Sequence, residues 1–146
     1  MSATDASLAA SAARGVVAAM AMTGMRRISV GLGLLRQPPP QMIAEEGVPG
    51  LLAQVPERYR DEAIELAHWI YGAVGGTAFG LLPAFARRRY WSGPLYGIAT
   101  WLVFEAVLAP VLGLPTNERW RTSDRLAVAA DHVLYGLVVS GGRSRS

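Results

Sequence analysis

Two apolar stretches of this chain open with the same five-residue pattern, His-x-x-Tyr-Gly, once from His68 to Gly72 and again from His132 to Gly136. Small residues then recur every fourth position, as Gly72, Gly76 and Gly80 in the first stretch and Gly136 and Ser140 in the second. On a helix this spacing keeps them near one face. Such a face lets backbones approach closely, which is how helices associate in lipid, where no hydrophobic drive acts between them. A histidine heading the stripe then faces a neighbouring helix. The pattern predicts an all-α protein, an integral membrane four-helix bundle with a polar interior.

Charge patterning points the same way. Residues 90–114 form a run of 25 with one charged side chain, Glu105, and residues 68–85 contain no Asp, Glu or Arg. A bilayer span needs roughly 20 apolar residues, so both runs qualify. With 51% apolar and 17% charged residues, the composition is unusual for a soluble domain. Four spans are predicted, over 8–35, 63–85, 93–114 and 126–141, in a single membrane domain covering 1–146. The first is the weakest, since Arg14, Arg26 and Arg27 leave 11 uncharged residues between them. Pro38, Pro39 and Pro40 cannot continue a helix, so a Pro-rich connection over 36–62 follows, with a short surface helix expected at 41–46.

All 14 basic residues are arginine, and they flank the apolar segments instead of forming one patch. The partner implied is therefore the lipid bilayer and not nucleic acid, despite a pI near 9.8. The tight Arg87-Arg88-Arg89 loop, with Arg14, Arg143 and Arg145, places both termini in the cytoplasm of a plasma-membrane protein. Trp91 and Trp120 fit the role of interface anchors. Asp5 and the lack of a basic leader argue against a cleaved signal peptide. Without cysteine there is no disulfide or thiolate site.

An internal repeat underlies the four spans. A shift of 82 positions lays Ser11, Gly15, Ala19, Thr23, Arg27 and Gly31 over Gly93, Gly97, Trp101, Glu105, Ala109 and Gly113. The second helix of each unit carries His-x-x-Tyr-Gly. The chain thus reads as two similar helical hairpins, with Gly93 and Gly97 joining the packing stripes and self-association expected through the glycine faces.

At 1.5 Å rise per residue, His68, His132, Glu105 and Arg27 fall roughly 10–14 Å below one membrane surface. Thr23 and Asp131 lie close in depth, and Tyr71 and Tyr135 one turn beyond each histidine. Ionisable groups inside a span face the interior and pair, so an intramembrane polar cluster is expected, with Glu105 bonded to Arg27. Histidine titrates near neutrality, which suits the cluster to relaying or sensing protons. Two other readings stay open: a subunit of a small-solute or ion transporter or channel, and a redox protein in which both histidines bind haem or join Glu105 around a metal. Nothing else marks a cofactor or metal site, and no catalytic motif is present.

The two His-x-x-Tyr-Gly spans, the proline run closing the first span, and Pro110 to Pro115 closing the third resemble the YagU-like bacterial inner-membrane proteins. The resemblance covers about Gly15 to Gly142. It implies a polytopic plasma-membrane protein of undetermined biochemical activity, with a link to acid or envelope stress tolerance, and it assigns no catalytic residues. The chain differs in a shorter middle connection and a minimal C-terminal tail.

Overall fold

A computed structural model describes residues 3–114 and 120–141, with side chains from residue 7 onward. Regular structure among them is helical throughout. Four long helices carry the fold: α1 (Ala3–Gly31), α2 (Arg60–Leu81), α3 (Ser92–Val111) and α4 (Thr122–Val139). Two segments, Ser7–Gly31 in α1 and the whole of α3, are long and apolar enough to cross a bilayer. Pro115, Arg119, Arg143 and Arg145 of the loop and orientation readings lie outside the described residues.

The chain punctuates these helices by simple chemistry. Gly33 and Gly113, at φ of 69° and 64°, take the left-handed conformation that ends α1 and α3. Each is followed by a leucine whose N–H reaches back five residues, Leu34 to Ser29 at 2.9 Å and Leu114 to Ala109 at 3.0 Å, so the two ends share one capping motif. The repeat therefore aligns Gly113 with Gly33, and not with Gly31, which is still helical. Pro83 forces Leu82 into an extended conformation and stops α2. In α3, Pro110 lacks an N–H and crowds the carbonyl four residues earlier. The turn before it relaxes into π-helix over Phe104–Leu108, which carries Glu105.

Packing follows the small residues. α1 lies against α2 and α4, and α3 lies against α4. A Cβ at Gly15 would overlap the Gly72 carbonyl, and one at Gly76 the Ser11 carbonyl. In the other hairpin a Cβ at Gly97 would overlap the His132 carbonyl, and one at Gly93 the Ser140 hydroxyl and the Gly136 carbonyl. The contact Gly15–Gly72 thus recurs as Gly97–Gly136, and Ser11–Gly76 as Gly93–Ser140. Gly80 closes against Ser11. These glycines are in close contact with neighbouring helices of the same chain.

Between α1 and α2 the chain forms short helical turns over Pro39–Met42, Ile43–Gly47, Pro49–Leu52 and Glu57–Tyr59. The surface helix expected at 41–46 is there as helical turns, but its apolar side points inward: Pro40, Met42 and Ala44 are buried. Asp124 ties the end of α1 to the start of α4. Its carboxylate accepts the Arg36 backbone N–H at 3.2 Å, the Arg36 guanidinium at 2.9 and 3.1 Å, and the Arg121 N–H that caps α4 at 3.0 Å. Burial alone would raise its pKa, but these donors from Arg121 and Arg36 hold it down at about 2.

Two expectations follow from this packing. Gly97→Ala forces a methyl group into backbone and is expected to cost about 1–3 kcal/mol, whereas Gly24→Ala, which meets no atom within 4 Å, is expected to be neutral or stabilising. Thermal unfolding in detergent compares the two. Because the Asp124 carboxyl titrates lower in the folded protein than in the unfolded chain, its contribution is complete above about pH 4 and disappears as pH falls toward 2. Asp124→Asn should therefore lower stability by about 1–3 kcal/mol at pH 7, with the gap from wild type closing as the pH is lowered.

Candidate functional site

Glycine contact pulls α2 onto α1 and α3 onto α4, which leaves α2 and α3 on opposite flanks. They meet where the Tyr96 hydroxyl donates to the Gly75 carbonyl at 2.6 Å and the Tyr96 ring stands edge-on to Phe79 at 5.1 Å. Elsewhere between them lies a cavity of about 480 Å³. Its walls are aromatic and aliphatic, including Tyr71, Tyr96, Trp101 and Phe104, and the inward side of the 39–55 connection covers it. Ala67, Tyr71 and Val74 line the cavity and are also exposed, so it opens along the α2 side.

The floor of the cavity is polar. Arg26 of α1, His68 of α2, and Asp131 and His132 of α4 all reach it. Arg26 and Asp131 are buried, at 5% and 3% exposure. Arg26 lies within electrostatic reach of Asp131, Glu65, His68 and His132. Its guanidinium donates to the Thr23 hydroxyl at 3.0 Å, and Thr23 in turn donates to Glu65 at 2.8 Å. His132 is held by its Nδ1 at 2.8 Å from the Val128 carbonyl, one turn back on its own helix. Two polar atoms on this floor are buried without a hydrogen-bond partner, His68 Nε2 and Asp131 Oδ1. Buried polar atoms left unpaired cost roughly 1–3 kcal/mol each, so their presence marks a site that is not purely structural.

Tyr135 is buried, and its hydroxyl donates to the Gly72 carbonyl at 2.7 Å, tying α4 to α2. Tyr71, its counterpart in the repeat, is 48% exposed at the cavity rim. His68, His132, Asp131 and the two tyrosines line this one cavity, and Thr23 is tied to it through Arg26.

Arg27 is the exception. It is exposed and borders a separate shallow cleft with Asp61 and Glu65, while its neighbour Arg26 occupies the interior. The expected Glu105–Arg27 pair is absent: the ion pairs among the described residues are those of Asp124 with Arg36 and Arg121. Glu105 lines the cavity wall from the π turn of α3 instead. The error has a geometric cause. Four residues advance a helix by about 400°, so a strict every-fourth stripe drifts ~160° between Ser11 and Arg27. The buried face mixes steps of three and four, through Ser11, Gly15, Ala18, Met22, Arg26 and Ser29, and that spacing is the signal for Arg26.

Trp120 departs from its expected anchor role by lining the cavity, whereas Trp91 is exposed. Among the described residues no three His, Asp or Glu side chains are grouped to hold a metal, so Glu105 does not join the two histidines in a ligand set. Comparison of the chain with protein-family models, with curated proteins and with solved structures finds no match.

Replacing each arginine separates the two assignments. Arg26→Gln leaves Asp131 buried without its countercharge and should lower stability by about 1–3 kcal/mol. Arg27→Gln should stay within about 0.5 kcal/mol of wild type. Denaturation of the purified protein measures both.

Proposed function

We propose that the chain is a multi-pass plasma-membrane protein whose buried Arg26, Asp131, His68 and His132 respond to protons. The observation that carries this reading is an inverted distribution of polarity. Large apolar side chains face outward on all four long helices, among them Val17, Ile70, Leu102 and Leu137, each more than 40% exposed. Monomeric soluble proteins rarely leave such apolar surface uncovered. Arg26 of α1 and Asp131 of α4 meanwhile lie inside, while Arg14 and Arg27 stay on the outer face of α1. Charge within a span is costly and is retained where it has a task.

The reading takes all four helices as spans, with α2 and α4 shielding their polar residues against α1 and α3. The Arg87–Arg89 loop sets the termini on the cytoplasmic side, and any oligomer forms on the outer leucine and valine faces. The likeness of the two His-x-x-Tyr-Gly spans to YagU-like inner-membrane proteins supports a place in acid or envelope stress tolerance. No catalytic role is assigned. A second reading, a subunit handling a small solute, is favoured by the cavity between α2 and α3.

Around Asp131 stand Arg26 of α1, within electrostatic reach, His132 beside it on α4, and His68 and Glu105 on the walls of the same cavity, with Glu65 reached through Arg26. Thermal unfolding of the detergent-solubilised protein between pH 5 and 8 tests the proton response. Wild type is expected to change its midpoint by several degrees over that range. The His68→Gln, His132→Gln double variant should flatten the profile. A wild-type profile that is already flat, or one unchanged in the double variant, would overturn the proton assignment.

A further inference from the structure

The cavity has the features of a ligand site as well as a proton site. Its volume of about 480 Å³ lies in the range of small-molecule pockets. Aromatic side chains line the middle, most of the ionisable groups gather at the floor, and Glu105 adds a second acid on the α3 wall. Asp131 lines the cavity with 3% exposure, and its Oδ1 is buried beneath that wall without a hydrogen-bond partner. Beside it, His68 Nε2 is also buried and unpaired. Arg26 is in electrostatic reach of Asp131 but forms no ion pair with it among the described residues, spending its hydrogen bond on Thr23 instead.

These facts specify the head group. When ionised, the Asp131 carboxylate only accepts, so the missing partner of Oδ1 in that state is a donor. Two acids, Asp131 and Glu65, surround the single guanidinium of Arg26, so the floor does not call for a further anion. We infer that the cavity binds a lipophilic molecule with a hydrogen-bond-donating, uncharged or cationic head, an alcohol or an amine, its head on Asp131 and its apolar body between Tyr71, Trp101 and Phe104. The exposed rim of Ala67 and Val74 is the entrance, and on the membrane reading above, which this inference rests on, it faces the bilayer where such molecules concentrate.

The inference is tested with three photoreactive probes that share one diazirine-bearing ten-carbon tail and differ in the head: alcohol, amine or carboxylate. The full chain is reconstituted in phosphatidylcholine vesicles, and flotation of the protein with the vesicles is checked first. Failure to float defeats the membrane reading itself, independently of the probes. In floated protein, the alcohol and amine should crosslink to α2 and α3 residues lining the cavity at least tenfold more than the carboxylate. Ala67→Phe, which fills the entrance without touching the polar floor, should cut that labelling at least fivefold, and Asp131→Asn should narrow the preference for amine over carboxylate. Equal labelling by all three heads, or labelling that Ala67→Phe leaves unchanged, would overturn the ligand assignment while leaving the membrane reading standing.

Discussion

Direct backbone contact at small residues is the constraint from which the rest of this structure follows. Dispersion forces fall off within an ångström or so of the optimal distance, so helices that hold together by packing must come very close. Gly15 against Gly72 and Gly97 against Gly136 achieve that in the two hairpins. Because each hairpin is drawn tight on its own account, and α1 against α4 joins them, the outer helices α2 and α3 cannot also close on each other. The gap between them becomes the cavity. Tyr96 and Tyr135, reaching the Gly75 and Gly72 carbonyls, brace α2 at its distance.

Duplication supplies the scaffold and departures from it supply the chemistry. The paired contacts and the shared end caps are common to both hairpins. Arg26 and Asp131 are not: Arg26 falls opposite Leu108 counted from the glycine contacts or Ala106 counted from the end caps, and Asp131 opposite Ala67, all uncharged. The charged pair therefore sits on the seam between the hairpins, where neither unit alone would place it. His68 and His132 are common to both, yet their settings differ. His132 bonds its own helix, while His68 leaves Nε2 unpaired in the cavity floor. Similarly, one tyrosine of the pair is locked in the interior and the other lines the opening.

Much of this was legible because helical periodicity and punctuation are local. The four long helices, the proline break after the first, and the close packing at Gly72, Gly76, Gly93, Gly97 and Gly136 can be read from spacing alone. What spacing could not deliver was the phase of a long stripe. Extending the small-residue pattern by fours moved the buried face from Arg26 to Arg27, and with it the expected partner of Glu105. The connection over 39–55 was harder still, since whether its apolar residues face lipid, water or a cavity depends on a gap created by helices far away in sequence. The same holds for Trp120 and for Glu65, whose bond from Thr23 crosses between helices.

On the proposed membrane reading, these four helices turn apolar faces outward to lipid and gather Arg26, His68, Asp131 and His132 at one inner cavity. The absence of native cysteine makes a direct measurement simple: single cysteines at Val17, Ile70, Leu102 and Leu137, each spin-labelled in a reconstituted bilayer, with collision rates for oxygen and for a water-soluble nickel reagent. Oxygen-dominated collisions are expected at all four positions, and nickel-dominated collisions at Gln54 in the connection. Nickel access at Ile70 or Leu137 equal to that at Gln54 would contradict the membrane reading, because α2 or α4 would then stand in water.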